Sequence, residues 1–210
     1  MSSTEKSYIE QQETMKILFI SVSSLLFCVT MPSTTGLLLD IVTGANKGIG
    51  KAIAESIAHA RATATTCEAG PSASSYRLVL VGRNMERGSR VAKEIAESSG
   101  LKVSFEACDL GNFQHVQALK RRIQEQESAD DGNTTPIRIG ILVNDAAECP
   151  QKQRLVQHPR RLDQDDIVTE TIDGQFATNV LGYHFMMKTF EDWYSDSSRI
   201  VNIASNWAGD

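Results

Sequence analysis

The sequence predicts an α/β fold: a doubly wound parallel sheet with helices on both faces, incomplete at the C-terminus. Three observations predict it. From residue 37 onward, short apolar runs rich in Val, Ile and Leu alternate with longer runs of helical periodicity, the pattern of βαβ units that close on a parallel sheet. Right-handed crossovers then place helices on both faces. Glycines cluster directly after the first apolar run. The 210 residues, 41 % hydrophobic and 22 % charged, supply one ordinary domain core and not two.

Each element follows from its own residues. Residues 37–43 (LLLDIVT) predict a strand, and 51–61 (KAIAESIAHAR), with apolar side chains three and four apart, a helix. Residues 62–75 are small and polar and contain Gly70-Pro71, which predicts a loop. Residues 77–81 predict the second strand and 85–99 the second helix, with Val91, Ile95 and the alanines on one face. Residues 101–107 alternate apolar and polar, a third strand, and 113–126 repeat Val116, Leu119 and Ile123 at helical spacing. Residues 128–136 (SADDGNTTP) predict a loop, and 137–143 (IRIGILV) a fourth strand. Residues 148–166 are polar with no clear period, 176–193 predict a long helix, and 199–204 (RIVNIA) a fifth strand. No internal repeat or heptad pattern interrupts this order.

The first 36 residues stand apart from the domain that spans 37–210. Residues 1–14 are polar; Lys16 then precedes a mostly apolar run to Met31. A Lys before a run of this length fits a signal peptide or anchor, so membrane association through 16–31 is one reading. The run is short for a spanning helix and no clean cleavage site follows, so an apolar leader packed on the domain or disordered is the other. Localisation stays open between the cytoplasm and the endoplasmic reticulum or its membrane. The 21 basic and 26 acidic residues leave a net charge of -5, which argues against nucleic-acid binding. The four cysteines (Cys28, Cys67, Cys108, Cys149) form no Cys-x-x-Cys pair and the four histidines no ligand spacing. No metal site is expected, and the cysteines read as reduced thiols, mostly core fillers.

Between the first strand and first helix stands Thr43-Gly44-Ala45-Asn46-Lys47-Gly48-Ile49-Gly50. Gly44 permits a tight turn, Gly48 a close backbone approach to a phosphate, and Gly50 close helix–strand packing. The helix start adds free N–H groups and a positive dipole end. A Walker phosphate loop does not fit, because positions 45 and 52 are both Ala. A purely structural turn is the remaining alternative. Val81-Gly82-Arg83-Asn84 ends the second strand with a guanidinium suited to a ribose 2′-phosphate, where a carboxylate would suit a 2′-hydroxyl. Lys47 adds a second positive charge.

These residues resemble the short-chain dehydrogenase/reductase family, over roughly residues 37–210, and TGANKGIG is similar to its carbonyl reductases and retinol-dehydrogenase-like members. The resemblance implies a Rossmann domain holding NADP(H) through Gly44, Asn46, Lys47, Gly48, Ile49, Gly50, Arg83, Asp109, Leu110, Asn144 and Ala146. Asp109 matches the family's adenine-binding Asp; capping a helix is its alternative role. Asn144-Asp145-Ala146-Ala147 departs from the family's Asn-Asn-Ala-Gly at two positions, and a carboxylate at 145 is unfavourable beside a pyrophosphate unless it points away.

The family reduces carbonyls or oxidises alcohols with Asn, Ser, Tyr and Lys. Asn179 (FATNVLG) and Ser205 (RIVNIAS) match the first two. Tyr and Lys must lie four apart to share a helix face, and the residues four beyond Tyr8, Tyr76, Tyr183 and Tyr194 are Gln12, Leu80, Met187 and Ser198. The expected protein is thus an NADP-dependent oxidoreductase of a small carbonyl or alcohol substrate, of which these residues are an N-terminal fragment with little activity alone. A non-catalytic NADP(H)-binding remnant and an unrelated nucleotide-binding α/β protein are the alternatives. A homo-oligomer remains open.

Overall fold

The computed structural model describes residues 36–65, 76–131, 136–148, 155–161 and 167–204. In chain order the elements are β1 (Leu37–Thr43), α1 (Gly48–Thr65), β2 (Tyr76–Gly82), α2 (Met85–Ser99), β3 (Lys102–Ala107), α3 (Phe113–Asp131), β4 (Ile137–Asn144), β5 (Leu155–Arg161) and β6 (Ile167–Asp173). A segmented helix follows: α4 (Gly174–Phe176), a π segment (Ala177–Leu181) and α5 (Gly182–Thr189). A short 3₁₀ turn (Glu191–Trp193) then leads to β7 (Arg199–Asn202).

Five strands form one sheet in the order β3-β2-β1-β4-β7, every neighbouring pair parallel. This is the doubly wound sheet that the alternation predicts. Burial on both faces explains why β1 and β2 read as continuous apolar runs and not as alternating ones. On one face Leu39, Ile41, Val79 and Val81 pack into a cluster with Val116, Leu119 and Ile123 of α3 and Phe185 and Met186 of α5. The opposite face buries Val42, Leu78 and Leu80, where α1 and α2 contact β1 and β2. Each fully buried Leu or Ile of this kind stabilises the fold by about 1.5–3 kcal/mol.

The turn chemistry explains where α2 begins and stops. Asn84 Oδ1 accepts from the Arg87 N–H at 2.8 Å, and Gly100 (φ 70°) closes the helix in the left-handed conformation. Gly88 is the one residue type that fits its place in α2, since a Cβ there would lie 2.1 Å from the Phe105 ring of β3.

Five expectations need correction. The helix predicted over 51–61 starts at Gly48 and runs to Thr65, and that predicted over 113–126 runs to Asp131, because the Ala, Thr and Ser that follow extend a helix without strain. The predicted long helix is broken into three segments and a 3₁₀ turn. The fifth strand ends at Asn202. The polar stretch over 148–166 holds β5, which pairs antiparallel with β6 in a separate two-stranded sheet. Pro159, His158 and the two arginines of β5 hide that strand from any apolar period.

β1 also carries a charge in its middle. Asp40, 2 % exposed, accepts from Arg61 Nε at 2.8 Å and Nη2 at 3.0 Å. It also accepts from the Ile141 N–H at 2.9 Å. The β1–β4 register slips by one residue here, between Leu39 and Ile41. The carboxylate replaces the displaced ladder bond, and Gly140 leaves room for it, since a Cβ there would lie 2.4 Å from Asp40 Oδ1.

Candidate functional site

The C-terminal ends of the five parallel strands share one edge, and the strand order reverses between β1 and β4. In open α/β sheets that crevice is where ligands bind. The turn after β1 occupies it. Gly44 (φ 71°) and Gly48 (φ 58°) are both left-handed. They need glycine for different reasons. A Cβ on Gly44 would lie 2.8 Å from the Ala146 nitrogen, so the turn is pressed against the end of β4. A Cβ on Gly48 would meet nothing within 4 Å, so the backbone there faces open space at the first turn of α1. Gly50 is buried, and a Cβ on it would lie 2.7 Å from both the Gly44 carbonyl and Asp145 Oδ2. Asn46 lies beside Gly82 at the end of β2, while Lys47 and Ile49 are exposed.

Thr43 joins this turn to β4. Its fully buried Oγ1 accepts from the Asp145 N–H at 3.0 Å and the Ala146 N–H at 3.1 Å. Asn144 is buried and donates through Nδ2 to Asn202 Oδ1 at 2.8 Å, while its own Oδ1 has no donor among the described residues. The Asp145 carboxylate lies against Gly50, where a Cβ would come within 2.7 Å of its Oδ2. It is turned under α1 and accepts from the Gly50 N–H. Burial pushes its pKa up to about 6, with the Gly50 N–H pulling the other way. Ala147 has no positive φ, so the backbone here does not require the family's glycine.

Arg83 is exposed at the end of β2, and its Nη1 lies 3.5 Å from Glu148 Oε2. Asp109 does cap locally: its Oδ1 accepts from the Gly111 N–H at 3.2 Å, whereas the α3 cap is Asn112. The Leu110 side chain is buried in the core, against Gly182, and does not line the crevice. Cys108 beside it is buried, and burial pushes its thiol to about 12, which leaves it inert. Cys28, Cys67 and Cys149 lie outside the described residues, as does the leader 16–31. No described helix is long and apolar enough to cross a membrane.

Asn179 sits in the π segment, a widened turn of a kind frequent at functional sites. Its Oδ1 accepts from the Glu148 N–H at 2.7 Å, and its Nδ2 donates to the Glu148 carbonyl at 3.1 Å. Ser205 lies outside the described residues, just beyond Ala204. The preceding Ile203 N–H donates to the Asn144 carbonyl at 2.8 Å. Tyr183 donates to the Ile203 carbonyl at 3.3 Å. Burial and then the Asp145 charge push its hydroxyl to about 12, far from the neutral value suited to proton transfer. Lys188 turns to Glu191 at 2.9 Å.

The fold thus gathers the glycine turn, Arg83, Asn144, Ala146 and Asn179 along one edge and leaves Leu110 in the core. Thr43, Asp145 and Glu148 also belong to this edge. Thr43 and Asp145 stand inside motifs visible in the sequence, whereas Glu148 does not; the partners of all three are remote in sequence.

The short chain dehydrogenase family profile matches residues 40–210. Among curated relatives, 3-oxoacyl-acyl-carrier-protein reductase FabG of Aquifex aeolicus is 28 % identical over 167 residues, covering 80 % of this chain and 55 % of its own. Retinol dehydrogenase 13 of Mus musculus is 29 % identical over 173 residues, covering 79 % of this chain and 40 % of its own. The chain spans about half the length of such relatives. Among solved structures, a short-chain dehydrogenase from Sphingobium yanoikuyae in complex with NADPH superposes with a TM-score of 0.50 at 26 % identity, over 81 % of this chain and 54 % of that one. The fold, the glycine turn and the profile match agree: this chain belongs to the short-chain dehydrogenase/reductase family.

Proposed function

We propose that the chain forms the NADP(H)-holding part of an oxidoreductase acting on a small carbonyl or alcohol. The observation that carries this reading is the open, left-handed Gly48 at the start of α1, at the sheet's switch point, with the exposed Arg83 at the end of the neighbouring β2. A diphosphate fits over backbone that no side chain obstructs, and a guanidinium suits a 2′-phosphate. When bound, the nicotinamide supplies or takes a hydride. Gly44, Asn46, Lys47, Gly48, Ile49 and Gly50 form the cradle, and Arg83 is the contact for a 2′-phosphate when the cofactor carries one. Asp109 serves the adenine end, while Asn144 and Ala146 form the crevice floor. Leu110 contributes from the core, by backing the β3 turn. Asn179 is a positioning residue, since its amide fixes the backbone of Glu148. Ser205 is the hydroxyl that orients the substrate oxygen. The NADPH complex of the Sphingobium dehydrogenase and the reductase and dehydrogenase names of the relatives support this reading.

The test is Arg83→Ala, read by NADPH and NADH titration of the 210-residue chain. NADPH should weaken by about tenfold, as for loss of a charge-assisted contact, and NADH much less. Equal losses would exclude Arg83 as the 2′-phosphate ligand. A second reading, binding without turnover by these 210 residues, is favoured by the lack of any Tyr-x-x-x-Lys among them and by the high pKa of Tyr183. NADPH oxidation with a simple aldehyde or quinone should then be at trace level; normal turnover would contradict it.

A further inference from the structure

Glu148 is the acidic group nearest to Arg83 by an explicit contact, and it is held more firmly than Arg83 is. Its side chain is 12 % exposed, against 53 % for Arg83. Thr178 Oγ1 donates to Glu148 Oε2 at 3.1 Å, the same oxygen that Arg83 Nη1 approaches at 3.5 Å. The Glu148 backbone is gripped on both sides by the Asn179 amide, at 2.7 and 3.1 Å. A fixed carboxylate therefore stands within reach of a long, exposed guanidinium.

Dinucleotide folds that favour the unphosphorylated cofactor place a carboxylate where it accepts from the ribose 2′-hydroxyl, ordinarily at the end of the second strand. Here the end of β2 is basic, and a carboxylate from the turn after β4 lies 3.5 Å from the tip of the Arg83 side chain. We propose that Glu148 sets the cofactor preference of this chain: it competes with a 2′-phosphate for Arg83 and offers a 2′-hydroxyl an acceptor, so that discrimination against NADH is weak. This rests on the dinucleotide reading above. The physical basis is charge. A 2′-phosphate that reaches Arg83 comes close to a carboxylate that Thr178 and Asn179 hold in place, and the like charges repel. A neutral ribose meets no such penalty.

Glu148→Gln keeps the volume and an oxygen for Thr178 while removing the charge. NADPH and NADH are titrated separately into the wild-type 210-residue chain and the variant, by nicotinamide fluorescence, with the melting temperature of each recorded. The ratio of the NADH to the NADPH dissociation constant should rise about threefold or more in the variant, the scale of one partly exposed charge pair. Glu148→Ala should shift the ratio in the same direction, and it decides the matter if the Gln variant fails to fold. An unchanged or falling ratio, or a folded variant that binds neither dinucleotide, overturns the assignment while leaving the wild type a dinucleotide binder. Failure of the wild type to bind either one overturns the underlying reading, and this inference with it.

Discussion

Two aspartates flank the β1–β4 seam and meet opposite surroundings. Asp40, in the middle of β1, is enclosed by a guanidinium on two of its nitrogens and a backbone N–H at a register slip. Asp145, just past the end of β4, is also largely buried, yet the Gly50 N–H is the partner that stabilises its charge, and its pKa rises to about 6. The difference lies in what each location has to do. In the sheet interior a charge is tolerable where opposite charge and hydrogen bonds surround it. At the strand ends Lys47 and Arg83 are exposed, and the partner nearest to hand for Asp145 is a single backbone donor of α1. A carboxylate placed behind that turn is left short of partners. One aspartate therefore belongs to the sheet interior, and the other to the edge that carries the glycine turn.

The largest effect is expected from stripping Asp40 of its cation. Arg61→Met should destabilise the chain by about 3–5 kcal/mol in urea unfolding, because it leaves a buried charge unpaired. Arg61→Met with Asp40→Asn should cost clearly less than the sum of the two single changes. The glycines beside the two carboxylates come next. Gly140→Ala drives a Cβ to 2.4 Å from Asp40 Oδ1 and should lower stability by about 1–3 kcal/mol, with no change in dinucleotide affinity beyond that. Gly50→Ala meets Asp145 Oδ2 and the Gly44 carbonyl at 2.7 Å. It should weaken NADPH binding in titration by about tenfold or more, since the whole turn must move.

The smallest effect is expected at Asp145. The Asp145 carboxyl has its ordinary value of 3.8 when unfolded and about 6 when folded, so the native state holds this proton more tightly. Stability from this group is therefore fully present below about pH 4 and is lost as pH rises through about 6. Asp145→Asn should then stabilise the chain by about 1–2 kcal/mol near neutral pH, a figure reduced for residual solvent access. The gain should vanish at about pH 4. Chemical unfolding at the two pH values checks it, and a gain of equal size at both would mean that burial of the charge is not the cause.

The five-strand sheet, the helix order and the glycine turn were legible because hydrophobic period and left-handed glycines are local signals. Leu37–Thr43 and Tyr76–Gly82 announce buried parallel strands by composition alone. The β5–β6 hairpin was not legible, because Pro159 and the charged residues around it carry no period. Neither was the π segment at Asn179, which a helical repeat does not distinguish from an ordinary turn. Asp145 was visible as a departure from a pattern, but its burial depends on Gly50, and the place of Glu148 depends on Arg83, 65 residues earlier. Spacing along the chain does not encode such meetings; the strand order creates them.

The edge built from the Gly44–Gly50 turn, Arg83 and the end of β4 is proposed to hold a phosphorylated nicotinamide dinucleotide. Equilibrium titration of the 210-residue chain with NADPH and, separately, with ATP tests it most directly, with Gly48→Val as the control that fills the open space above the turn. NADPH should bind saturably, Gly48→Val should abolish that binding, and ATP should bind far more weakly. Tight ATP binding without NADPH binding would contradict it.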